Sequence, residues 1–171
     1  LLPVKHKINH DITALPDSMV TALRCFLVSR VIRNLRGQKT QHASMLVNAS
    51  RFTGIQNLIR NRLHEHLKII EDAVRVYGAS PSANTNPEIA SLKRVWQDEY
   101  SEAYPHWAEI LENLLPVVAS ASVIAVNSSS PTTLDYDAVG ENGLTLIAVG
   151  GFSLSRGLTL EGLTVSYFLR N

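Results

Sequence analysis

The chain has 171 residues, of which 45% are hydrophobic and 18% charged, and its 16 Lys and Arg against 15 Asp and Glu leave a formal net charge of +1. That is enough apolar material for the core of one ordinary globular domain, and it excludes a disordered tail or a disulfide scaffold. With so little net charge there is no strong bulk field toward nucleic acid or membrane, so any contact with a polyanion has to come from local groups.

The single cysteine, Cys25, lies in an apolar stretch with no partner for a bridge, which reads as a small buried hydrophobe in a reducing cytoplasm. No run approaches the roughly 18 apolar residues of a membrane span, and residues 1–6 lack the order of a signal peptide, so a cytoplasmic protein is expected. The chain starts without methionine and stops soon after a core-like strand, which predicts a fragment of something longer.

In chain order, the first predicted element is a helix over residues 18–36. Val20, Leu23, Leu27, Val31 and Leu35 recur near helical spacing, and Gly37 follows where a left-handed residue ends a helix. Arg30, Arg33 and Arg36 share one edge of it, read as a solvated face helped by the helix dipole rather than a phosphate-binding strip. Residues 43–49 form a short apolar run that predicts a strand. Thr53 with Gln56 then makes a capping-box pattern opening a helix, whose stripe runs through Ile55, Leu58, Ile59, Leu63, Leu67, Ile70, Val74 and Tyr77 before Gly78. A strand feeding a long amphipathic helix is half of a βαβ unit, and the passage Ser50, Arg51, Phe52 would sit at the strand's carboxyl end, where open α/β sheets bind ligands.

Residues 79–86 read as a loop, after which Asn86 caps a helix and Pro87 begins it. Residues 88–115 look helical in two pieces because Pro105 interrupts them, and residues 79–120 are predicted to form a helical insertion. Three short β-rich runs follow, at 122–127, 144–149 and 163–169. Being apolar on both faces, they suggest a buried, mostly parallel sheet inside a single three-layer α/β domain spanning residues 1–171.

The most distinctive stretch is GGFSLSRGLTLEG at residues 150–162, directly after a predicted strand. Two glycines at a strand's end let a backbone approach a bulky ligand. Ser153 and Ser155 offer hydroxyls to phosphate oxygens, Arg156 a charged anchor, and Gly157 a turn free of side-chain clash. A phosphate, in nucleotide or nucleic acid, is the ligand this composition suggests.

This stretch, continued by LTVSYFLR, resembles the signature of the bacterial Z1 domain family, as do residues 15–31, 36–37 and SMLVNASRFT at 44–53. The resemblance implies a lobe accompanying superfamily-two helicase modules in endonucleases of restriction-modification and phage-defence systems. The strand with Ser-Arg-Gly is similar to helicase motif five, and the strand ending Asn48, Ala49, Ser50, Arg51 to motif four, so the implied fold is the second RecA-like lobe. On that resemblance Ser50, Arg51, Gly151, Ser153 and Ser155 would lie near the DNA backbone, and Arg156, Gly157 and Thr159 near the nucleotide cleft. Thr159 stands where many helicases have an acid that holds the ribose, with Glu161 as a substitute. The implied cofactors, ATP and Mg²⁺, would be bound mainly by a preceding P-loop lobe, since no G-x-x-x-x-G-K-[ST] occurs in the chain. The implied partners are duplex DNA and that preceding lobe, with no catalytic residue and no metal ligand here.

Other chemistry reads weakly. Asp135 and Asp137 lack the Glu-x-Lys of a nuclease core, and His64 and His66 are two apart on a helix and diverge. Trp96, Tyr100, Tyr104 and Trp107 fit a packing stripe better than a platform for bases, and no Gly-x-Ser-x-Gly elbow is present. The alternative to a motor lobe is a non-enzymatic protein-interaction module on a helicase-like fold.

Overall fold

The computed structural model describes residues 13–126, 142–151 and 160–169. The first helix, α1 (Asp17–Leu35), follows Pro16 and gives way to Gly37 at φ +83°, a conformation that excludes most side chains. Strand β1 (Ala43–Asn48) leads into the 25-residue helix α2 (Thr53–Tyr77), which buries Ile55, Ile59, Leu63, Leu67, Ile70 and Val74; Tyr77 at its end is exposed. The predicted capping box does not form. Thr53 is already helical, the N-cap is Phe52 with no side-chain cap, and Gln56 reaches back past it to the Ser50 carbonyl.

A short 3-10 turn (Ala83–Thr85) lies in the predicted loop, and helix α3 (Pro87–Glu99) then starts as expected, with the Asn86 side chain accepting from the N–H groups of Glu88 and Ile89. The rest of the insertion is in two more pieces, α4 (Trp107–Glu112) and α5 (Leu114–Ser120), so there is one break beyond that at Pro105. Pro116 accounts for it: without an N–H, and with a ring that collides with the carbonyl four residues back, it is tolerated only in the first turn of a new helix.

Strands β2 (Ser122–Val126), β3 (Thr145–Gly150) and β4 (Leu163–Phe168) complete a four-stranded, all-parallel sheet in the order β2-β3-β1-β4. The protein is an α/β fold. Ala43, Met45 and Val47 lie opposite Thr145, Ile147 and Val149, and because side chains alternate they share one face of the sheet. That face carries the helical core: α1 packs under β1 and β4, α2 under β2 and β3, and α3 and α5 each contact both long helices. A second helical layer, as the three-layer expectation requires, is not among the described residues. Leu146 and Ala148 on the other face are nonetheless buried.

The direction in which strands are added reverses in the middle of the sheet. From β1 the chain passes over β3 to reach β2, and from β3 it passes over β1 to reach β4. The carboxyl ends of β1 and β3, the two strands at this switch in strand order, are the kind of place where open α/β sheets bind ligands.

Candidate phosphate-binding rim

The two turns singled out in the sequence begin side by side. Asn48 is in register with Gly150, the Ala49 N–H donates to the Gly150 carbonyl at 2.9 Å, and on the other side the Leu169 N–H donates to the Asn48 carbonyl at 2.9 Å. The loop carrying Ser50 and Arg51 and the start of the loop carrying Gly151 therefore share the carboxyl rim of one sheet.

At that rim the backbones nearly touch. A Cβ added to Gly151 would lie 2.3 Å from the Ser50 carbonyl oxygen and 3.0 Å from Gln56 Nε2, so only glycine fits. Gln56 Nε2 donates to the Ser50 carbonyl at 2.7 Å, and the Ser50 hydroxyl accepts from the Phe52 N–H at 3.2 Å, which turns the chain sharply into α2. Ser50 is buried in this turn, whereas Arg51 is exposed, its guanidinium 4.9 Å from the centre of the Phe52 ring.

The first turn of α2 completes the rim. It has no side-chain cap and no acidic residue, so the partial positive charge of a long helix is left uncompensated beside Arg51. Such an arrangement attracts an anion and offers it backbone N–H groups. Of the predicted ligand-contacting residues, Ser50, Arg51 and Gly151 are brought together here; Ser153, Ser155, Arg156, Gly157 and Thr159 lie outside the described residues. Glu161 precedes β4 at the opposite, amino rim, beside His42 at 3.8 Å, a strand length of roughly 20 Å away.

Sequence reasoning missed Gln56 as a member of this site, because Thr-x-x-Gln reads as a cap and nothing in the pattern tells which backbone the amide will reach. It also misread Arg30. That side chain is buried at the amino rim and donates to the carbonyls of Gln41 (2.6 Å), Lys39 (3.2 Å) and Gly143 (3.0 Å) and to Thr145 Oγ1 (3.2 Å). Arg33 bonds Gln38, Gln41 and Thr164, and Arg36 bonds the Ala103 carbonyl. The arginine edge is thus not one solvated face: buried Arg30 and half-buried Arg33 fasten α1 to the segments entering the sheet, while Arg36 is exposed and ties the end of α1 to the insertion.

The remaining candidates are structural. Trp96 and Trp107 pack with ring centres 5.7 Å apart and planes tilted by 37°, and their indole N–H groups donate to the Tyr104 carbonyl and Asn84, so they pack the insertion rather than present a base platform. Burial pushes the Cys25 thiol up, away from a reactive thiolate. His64 is exposed, and burial pushes the His66 imidazole down. No group of His, Cys, Asp and Glu among the described residues is arranged to hold a metal, and none of their helices is long and apolar enough to cross a membrane. Asp135 and Asp137 lie outside the described residues. An open cleft of about 430 Å³ between α1 and α2 has among its lining residues Arg24, paired with Glu88 at 2.8 Å, and Arg62, paired with Glu65 at 2.9 Å.

A match to the Z1 domain runs over residues 18–171, from the first turn of α1 through β4, and takes in both rim turns. The chain belongs to the Z1 domain family. No curated protein and no solved structure matches it. At the carboxyl rim this Z1 domain brings together an uncapped helix start, an exposed arginine and a glycine held against a neighbouring backbone.

Proposed function

We propose that this Z1 domain is the second, RecA-like lobe of a superfamily-two, helicase-like, ATP-dependent DNA translocase that works with a restriction or phage-defence endonuclease. One observation carries the reading: the motif-four-like turn and the motif-five-like turn leave neighbouring parallel strands at the same carboxyl rim, at the switch in strand order. Two loops that had to grip one phosphorylated ligand would need this placement, and turns on opposite rims could not do so.

In this role Arg51 and the first-turn amides of α2 hold phosphate oxygens by charge and by direct N–H donation. Gly151 keeps the second loop tight against the first. The residues present fit a phosphate, but with no Walker loop in the chain the grip on ATP and Mg²⁺ belongs chiefly to a preceding lobe, and the isolated domain turns over no nucleotide.

The test is made in the full-length parent protein. Arg156→Ala should abolish DNA-stimulated ATPase activity while leaving the fold intact by circular dichroism; unchanged turnover would sink the motor reading. In gel shifts the domain should bind duplex DNA in a strongly salt-sensitive way. No affinity even at low salt would leave the protein-interaction module as the better account.

A further inference from the structure

We infer that a DNA backbone leaving the carboxyl rim continues along one exposed flank of α2, over Asn57, Arg60, His64 and Lys68, and is held there by its phosphates. This rests on the phosphate reading of the rim and lengthens the contact from the first turn of the helix to about four turns.

At about 100° per residue, Thr53, Asn57, Arg60, Asn61, His64 and Lys68 fall within about 100° of the circumference of α2. Arg60 is half-buried and the others are exposed, and the band begins beside exposed Arg51. It carries no acid. The one acidic residue between Thr53 and Lys68 is Glu65, which stands outside the band and pairs with Arg62 at 2.9 Å. A turn further on, Glu71 is buried beneath Lys68 and Arg75, and its carboxylate bonds both while their side chains stay 54% and 55% exposed. Two cations thus share one anion, and their heads face solvent with a positive balance. Exposed Asp72 borders the far end.

The chemistry of the band fits phosphates better than a protein surface. Phosphate oxygens are contacted by Arg and Lys together with neutral donors such as Thr and Asn, which is the mixture found here. The core of a protein interface is apolar and aromatic instead, and the exposed apolar residues of this helix, Ile69, Val76 and Tyr77, all lie outside the band. Its length also suits a backbone. From Thr53 to Lys68 the helix rises roughly 22 Å, over which one strand of a duplex sets roughly six phosphates.

The experiment measures the affinity of the full chain for a fluorescent DNA duplex by anisotropy, at several salt concentrations between about 50 and 200 mM. Arg60→Gln should lower the slope of log affinity against log salt by about one, and adding Lys68→Gln should lower it further. Arg62→Gln is the control: it removes the same charge two residues away on nearly the opposite side of α2, and it should leave the slope unchanged. All three positions lie outside the core, so the variants should fold. A wild-type slope in the Arg60→Gln, Lys68→Gln variant overturns the inference. If Arg51→Ala still weakens binding in that case, the rim reading stands without it. Equal losses from Arg60→Gln and Arg62→Gln also overturn it, since binding would then follow overall charge rather than one flank. A chain that ignores the duplex but binds poly-glutamate through Arg60 makes the occupant an acidic protein and sinks the rim reading as well. Binding to neither probe sinks both.

Discussion

The two rims of the sheet use the same kinds of residue to opposite ends. At the amino rim, Arg30 gives its donors to three backbone carbonyls and a threonine, Arg33 bonds three side chains, and Gly143 and Gly162 lie so close to the chain at Gln41 and His42 that no Cβ fits. At the carboxyl rim there is equally close contact at Gly151, yet Arg51 is exposed, the start of α2 is uncapped and Gln56 Oε1 is unmet. One end is closed by its own hydrogen bonds, and the other has polar capacity left over. Open α/β sheets bind ligands outside the carboxyl ends of their strands where the strand order switches, so capacity held at this rim is placed where a ligand can use it.

The largest effect should come from breaking the closed end. Arg30→Met removes the donor of four hydrogen bonds and leaves buried carbonyls unmet, so a loss of about 3 kcal/mol or more is expected in urea unfolding. Arg30→Lys should recover little of it, since an ammonium has three donors at one point where the guanidinium has five in a fork. A loss below about 1 kcal/mol in the methionine variant would mean that the amino rim is not the fastening described here.

A smaller loss of stability, with a larger functional consequence, is expected from Gly151→Ala. The new Cβ meets the Ser50 carbonyl at 2.3 Å, and since backbone cannot swing aside as a flexible side chain does, the two loops must part. About 1–3 kcal/mol is the usual cost of such overpacking. Because the shift falls on the phosphate seat, DNA affinity in gel shifts should drop together with the melting temperature. Full affinity in a variant that melts early would show that the spacing of the two loops does not matter to the ligand.

How far the sequence reveals all this depends on whether the determinant is local. The helices over Asp17–Leu35 and Pro87–Glu99 were legible because apolar spacing, Asn86 and Pro87 act within a turn of where they stand. The rim was legible in outline because a glycine after an apolar strand and a Ser-Arg turn after another are local patterns. That they meet was legible only through the resemblance to the two helicase motifs, not from the residues themselves, since the pairing of Asn48 with Gly150 joins residues about a hundred positions apart. The same holds for Arg30, whose spacing with Arg33 and Arg36 suits a solvated edge until the folded chain brings Gly143 and Thr145 against it. Gln56 was misread for a different reason: the capping pattern and the observed contact use the same amide, and only the backbone path at Ser50 decides between them.

The smallest effect on stability should come from Arg51→Ala, and it is the counterpart of the Arg30 test. Arg51 is exposed and rests on the Phe52 ring, so its removal should change unfolding free energy by no more than about 0.5 kcal/mol. Its charge, placed beside the start of α2, should nevertheless count toward a polyanion. In the proposed reading its loss weakens binding to all DNA sequences alike and lowers the slope of log affinity against log salt by about one, the signature of a single phosphate contact. If the slope stays put while affinity falls, Arg51 acts by shaping the turn rather than by touching phosphate. If neither changes, the open rim binds something other than a nucleic-acid backbone, and the contrast between the two ends of the sheet is one of packing alone.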